Sequence, residues 1–108
     1  MPLASIIVPA FNVADTLPET LASLINQTAQ GYEIIIVNDG SSDDTLRVAH
    51  TYEAQGNIRI LSQANRGLAG ARNTGIAAAR GEFIGFCDAD DIWEPSKLQV
   101  HLDHLAAN

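Results

Sequence analysis

The residues with the most chemistry in this sequence are the three carboxylates of Asp88-Ala-Asp-Asp91, set directly behind the apolar run 83–87. Carboxylates packed this closely repel one another unless they are protonated or bridged by a cation. An all-oxygen donor set suits Mg2+ or Mn2+, held by one or two carboxylates and completed by substrate phosphates. The same residues would also serve as turn formers and caps ahead of Ile92-Trp93-Glu94-Pro95. Their position directly after a strand-like run favours the metal reading. Another carboxylate, Asp39, stands in Val37-Asn-Asp-Gly-Ser41. It reads either as part of an Asp-Gly turn or as an acceptor for the imide N–H of a base such as uracil. Phe11 is either a core residue or a ring that lies on the flat face of that base.

A glycine-rich stretch, Gly67-Leu-Ala-Gly-Ala-Arg-Asn-Thr-Gly75, is neither a phosphate loop ending in Lys-Ser/Thr nor a G-x-G-x-x-G fingerprint. Its small residues keep a helix start uncrowded, with free N–H groups for a phosphate. Arg72 within it would add a charge-assisted contact. An ion pair between Arg72 and a nearby aspartate is compatible with that role.

The elements that must carry these residues follow from the apolar pattern. Ala4-Ser-Ile-Ile-Val-Pro9 and Glu33-Ile-Ile-Ile-Val37 are β-branched runs that read as buried strands. Asn57-Ile-Arg-Ile-Leu61 and Glu82-Phe-Ile-Gly-Phe-Cys87 read as two more. Leu17, Leu21, Leu24 and Ile25 form a helical stripe after an Asp15 N-cap, with Pro18 in the first turn. A second helix is predicted over residues 45–55, with Val48, Ala49 and Tyr52 inward and Gly56 as its C′ residue. A third is predicted over 68–80, closed by Gly81, and a last one from Pro95 at N1, carrying Leu98, Leu102 and Leu105. Strand and helix alternate throughout. That order implies an α/β, three-layer protein with a mainly parallel sheet and flanking helices. Ligands in such sheets bind beyond the carboxyl ends of the strands, where Phe11, Asp39, Arg72, Asp88 and Asp90 all fall.

Composition narrows the partners. At 108 residues the chain has room for one domain, and 46% hydrophobic residues suffice for a core. Six basic against thirteen acidic residues give a net charge of −7. That balance argues against a nucleic-acid surface and against docking on anionic lipid. It also means that a phosphorylated ligand would need a cation to mediate its contact. The lone Cys87 lies in an apolar run and reads as a buried small hydrophobe, which fits a reducing, cytoplasmic setting or the inner face of a membrane. No signal-peptide pattern and no transmembrane-length apolar run is visible. His50, His101 and His104 read as exposed helix residues, and Trp93 as a packing anchor.

The motifs in register resemble family 2 glycosyltransferases. The resemblance is carried by Ile6-Ile-Val-Pro-Ala-Phe-Asn12, Asn26-Gln-Thr28, residues 33–45, Asn65-Arg-Gly-Leu-Ala-Gly-Ala-Arg-Asn73 and residues 81–91, across essentially the whole chain. It implies a GT-A, Rossmann-like nucleotide-diphospho-sugar transferase fold. It also implies transfer of a sugar from a nucleoside diphosphate donor, UDP favoured, with inversion and a divalent metal. Carried over, Phe11 stacks on the base and Asp39 binds it. Arg72 reaches base or diphosphate, Asp88 the ribose and diphosphate side, and Asp90 the metal. Phe11 stands where the family usually has Tyr, which loses a hydroxyl and keeps the stacking. Asn38 stands where the family often has Asp, which leaves Asp39 as the base contact.

The family's general base lies well beyond the metal motif, so the resemblance implies that residues 1–108 are the donor-binding part of a longer transferase domain. No residue here is assigned as catalytic, and the acceptor, saccharide or lipid-linked, is unnamed. The competing expectation is a non-catalytic fragment that binds nucleotide or another chain. A homo-oligomer covering the open sheet is also expected. A sugar-1-phosphate nucleotidyltransferase fits less well, because strand one leads into Pro-Ala-Phe-Asn rather than a glycine-rich loop with a basic residue.

Overall fold

The computed structural model describes residues 2–106. Its elements are β1 (Ala4–Ala10), α1 (Leu17–Ile25), β2 (Tyr32–Asp39), α2 (Thr45–Tyr52), β3 (Ile58–Gln63), α3 (Gly67–Ala78), β4 (Phe83–Phe86) and α4 (Lys97–Ala106). The four strands form one parallel sheet in the order β3-β2-β1-β4. The two inner strands are the continuous apolar runs. Ile6, Ile7, Val8, Ile34, Ile35, Ile36 and Val37 are all buried, as strands covered on both faces require.

One face of the sheet packs under Leu17, Leu21 and Leu24 of α1, Ala49 of α2, and Leu98 and Leu102 of α4. The opposite face carries Ile35 and Val37 under Ala71 of α3. This gives the expected three layers. The chain winds from β1 through β3 in one direction and then crosses back beside β1 to β4. Right-handed crossovers put α3 on the other face from α1 and α2. The carboxyl ends of β1 and β4 therefore flank the point where strand order reverses, the place where such sheets bind ligands. Gly75 lets α3 lie close on β1, since a Cβ there would strike the buried Ile7 side chain.

Several local boundaries differ from the sequence-based expectation. β2 runs through Asn38 and Asp39, and β3 continues to Gln63, so both strands extend two residues past their apolar runs. Asp39 is therefore a ladder residue of the sheet rather than part of a free turn. Asp15 is not the cap of α1. Thr16 holds that position without a side-chain cap bond, because its hydroxyl donates instead to the Ala89 carbonyl at 2.8 Å. The second helix is α-helical only to Tyr52 and tightens to a 3-10 turn over Glu53–Gln55. Gly56 then leaves in an extended conformation rather than the left-handed one expected of a C′ glycine.

Gly81 does not close α3, which ends at Ala78. It lies so near the backbone of Ala4 and Ser5 that a Cβ would clash. α4 starts at Lys97 rather than at Pro95, whose carbonyl accepts from Thr28 N at 2.8 Å. Leu105, expected inward, is half exposed. Trp93 and Cys87 are buried, and His50, His101 and His104 are exposed, as expected. Burial pushes the Cys87 thiol up to about 12.

Candidate functional site

The end of β1 turns sharply at Asn12, whose φ of 52° is left-handed, a conformation asparagine tolerates better than most residues. Its Oδ1 accepts from Ser42 N at 2.8 Å and Asp43 N at 3.3 Å, while Asn12 N donates to Ser41 Oγ at 3.0 Å. Val13 N donates to Thr45 Oγ1 at 2.9 Å, and Ala14 N to Asp43 Oδ2 at 3.2 Å. The Thr45 hydroxyl also holds the Asp43 carboxyl below its usual range. Loop 11–14 is thus pinned along the loop that follows β2. Phe11 stands on this base with 49% of its surface exposed, which is unusual for a phenylalanine serving only as core.

Asp39 closes β2 at 3% exposure. Its Oδ1 accepts from Gln63 Nε2 at 2.9 Å and from Arg66 N at 2.8 Å. Burial raises the pKa of this carboxyl. The Gln63 amide and the Arg66 N–H outweigh that and hold its pKa below the usual carboxylate range. Gly40 follows at φ 75°, and a Cβ there would strike the Asn65 backbone, so no other residue fits without strain. Phe11, Asp39, Asn65, Gly67, Leu68 and Ala71 line one cleft of about 350 Å³. On the other side of Phe11 lies a second cleft of about 450 Å³, lined by Asn12, Asp15, Thr16 and Asp90 among others. Phe11 is the wall between them.

The start of α3 differs from the expected free anion site. Arg66 N is spent on Asp39, and Gly67 N donates to Asn65 Oδ1 at 3.2 Å. Arg72, one turn further on, remains available. Its guanidinium lies 3.8 Å from Asp88 Oδ1 and 5.5 Å from the centroid of the Phe86 ring. Its Nε is buried without a hydrogen-bond partner. A buried donor left in this state costs free energy until something accepts from it.

The acidic loop is held from behind by α1. Thr16 Oγ1 and Thr20 Oγ1 both donate to the Ala89 carbonyl, at 2.8 and 3.0 Å. Ser23 Oγ accepts from Trp93 N at 3.1 Å, and Gln27 bonds both the Glu94 carbonyl and Leu98 N. These four side chains lie at helical spacing and fasten the segment after β4 along α1. Ala89 is buried between Asp88 and Asp90, whose carboxylates face outward. Among the described residues no group of three or more His, Cys, Asp or Glu side chains is placed to hold a metal ion by itself. Exposed carboxylates of this kind suit a hard cation shared with ligand phosphates rather than one enclosed by protein.

The predicted residues thus fall in three places. Phe11 and Asp39 share one cleft, Asp90 lies across the Phe11 wall, and Arg72 stands beside Asp88. Sequence reasoning missed Asn12, Gln63 and the α1 stripe Thr16, Thr20, Ser23 and Gln27. The stripe had a signal, since its members recur every three or four residues.

An open parallel sheet with its polar residues gathered past the strand ends is the architecture of nucleotide-binding α/β proteins. The model of glycosyl transferase family 2 matches residues 5–108, and the chain belongs to that family. It is 51% identical over 100 residues to the glycosyltransferase EpsJ of Bacillus subtilis, covering 92% of this chain and 29% of the relative. The crystal structure of S. aureus TarS 1-349 in complex with UDP-GlcNAc superposes with a TM-score of 0.91 at 30% identity, over 99% of this chain and 32% of that one. The mannosyltransferase PcManGT from Pyrobaculum calidifontis, in complex with GDP-Man and Mn2+, superposes with a TM-score of 0.92 at 27% identity, over 97% and 32%. The fold is that of the GT-A transferases. The chain spans about three-tenths of the length of these proteins. No helix among the described residues is long and apolar enough to cross a membrane.

Proposed function

We propose that residues 1–108 form the donor-binding part of a glycosyltransferase that transfers a sugar from a nucleoside diphosphate sugar, UDP favoured, with inversion. The observation that carries this is the cleft where Asp39, buried and with its pKa held down, meets the half-exposed ring of Phe11. A flat base with an N–H donor fits between Phe11 and Asp39. A diphosphate would then lie toward the exposed part of the Arg72 guanidinium beside Asp88. Asp90 would hold Mg2+ or Mn2+ together with the phosphates, and TarS and PcManGT, solved with UDP-GlcNAc and with GDP-Man and Mn2+, support such a ligand set. When bound, the cation supplies Lewis-acid stabilisation of the departing nucleoside diphosphate.

No carboxylate in this chain is assigned as the base that deprotonates the acceptor, saccharide or lipid-linked. The buried, unpaired Cys87 supports a cytoplasmic setting, at or near the inner face of the membrane. Titration of UDP with and without Mn2+, in wild type and Asp90→Ala, tests the reading. Metal should strengthen UDP binding to wild type and have no effect on the variant. Equal binding in all four mixtures would sink it.

A further inference from the structure

Asp39 does not stand alone at the end of β2. Its register partner on β3 is Gln63, whose Nε2 donates to Asp39 Oδ1 at 2.9 Å, the same oxygen that Arg66 N reaches at 2.8 Å. The other end of the Gln63 amide meets Thr74 Oγ1 at 2.6 Å, a hydroxyl also 3.0 Å from the Gly70 carbonyl. Chemistry fixes the polarity of this chain of bonds. An ionised carboxylate only accepts, so the amide turns its NH2 to Asp39 and its oxygen to Thr74, whose single proton can then go to it. Oδ2 lies outside the chain of bonds, on a residue that lines the cleft beside Phe11.

We propose that Gln63, oriented through Thr74, is the positioning residue that sets the hydrogen-bond polarity Asp39 presents to a nucleobase, and so decides which base the cleft accepts. The proposal rests on the reading of Asp39 as the base contact. With donors fixed behind it, Asp39 offers the ligand an acceptor and nothing else. That face matches the ring N–H of uracil and repels cytosine, which carries an acceptor at the same ring position. Uracil and cytosine have nearly the same size and outline, so polarity rather than shape separates them.

The decisive variant is Asp39→Asn. Gln63 and Arg66 N still donate from behind, so the introduced amide must turn its oxygen to them and its NH2 to the cleft. The polarity of the site is then inverted. Calorimetric titration of the full chain with UDP and with CDP reads the effect, with thermal unfolding followed in parallel. Wild type should prefer UDP by about tenfold or more, the worth of a hydrogen bond to a charged group. Asp39→Asn should reverse that preference, and adding Gln63→Leu to it should erase the reversal, because the amide is then held less firmly. Gln63→Leu alone should weaken UDP and narrow the ratio. Gln63→Met, which keeps the length of the side chain, serves where the leucine variant does not fold.

A Gln63 variant that weakens both nucleotides equally would reduce the residue to a structural role and overturn the proposal. So would a folded Asp39→Asn that loses UDP with no shift toward CDP. Wild type that ignores the difference between UDP and CDP, or Asp39→Asn that binds UDP unchanged, would instead remove Asp39 as the base contact altogether.

Discussion

The two ends of the sheet carry the same kinds of charged side chain and treat them in opposite ways. At the amino end, Glu33 is buried between the strands and α3. Its Oε2 accepts from Ser5 Oγ at 2.6 Å and Arg80 N at 2.7 Å, while Arg59 reaches Oε1 at 3.0 Å. Arg59 also donates to the Ala78 carbonyl, and Gly81 N closes the ring onto Ser5 Oγ at 2.8 Å. Burial raises the pKa of Glu33, and these partners outweigh it, so the carboxyl lies below its ordinary value. At the carboxyl end, Arg72 and Asp88 stand 3.8 Å apart with 41% and 58% of their side chains exposed. The charges that tie the α3–β4 connection to the sheet are saturated by protein. Those facing the groove keep capacity for something else.

That contrast predicts that substitutions at the amino end act on stability and those at the carboxyl end on ligand. Glu33→Gln should have the largest effect, about 3 kcal/mol of lost stability in urea denaturation, because it leaves Arg59 half-buried without its charge partner. The pH dependence follows from the depressed pKa of Glu33. Its contribution is complete above the unfolded value of 4.5 and is lost as pH falls through the lower folded value. Wild type and variant should therefore converge in stability below that range, and a gap unchanged by acid would contradict the assignment.

Thr20→Val should cost about 1 kcal/mol, since the Ala89 carbonyl keeps only the Thr16 hydroxyl. It should also blunt the Mn2+ dependence of UDP binding by loosening the acidic loop. Unaltered metal dependence would confine the α1 stripe to packing. Arg72→Met should be the mildest in unfolding, within about 0.5 kcal/mol of wild type. In the same variant UDP affinity should fall about tenfold with loss of the charge-assisted contact. A variant that unfolds early yet binds normally would erase the difference between the two ends.

The parts of the fold that were legible are those where one physical effect dominates. Burial on both faces left β1 and β2 as uninterrupted β-branched runs, and the stripe of Leu17, Leu21 and Leu24 had no rival pattern. Boundaries were less legible where polar side chains have tertiary partners. Gln63 looks like loop composition, yet it is the last ladder residue of β3 because Asp39 and Thr74 occupy both ends of its amide. Pro95 carries a helix-start signal, but its carbonyl is taken by Thr28 N and the helix waits until Lys97. Within the site, Phe11, Asp39, Arg72, Asp88 and Asp90 were chosen by their place after strands. The residues that aim them were not, because the spacing of Thr16 and Thr20 puts them on one helix face without naming the Ala89 carbonyl they share.

The position of β4 has a further consequence, for the order in which the chain assembles. β1 meets β2 through Ala4↔Tyr32 but meets β4 through Ala4↔Phe83. Closing the longer of these loops costs about 0.9 kcal/mol more in chain entropy on the logarithmic scaling of loop length. The two inner strands should therefore zip first and bring Phe11 and Asp39 together. The acidic loop should join only when β4 docks on a sheet already formed. Pulse-labelled hydrogen exchange during refolding should find the β4 amides protected last, and simultaneous protection of all four strands would contradict that sequence of events. A chain of this topology builds the end of its groove that would hold a base before the end that would hold a metal.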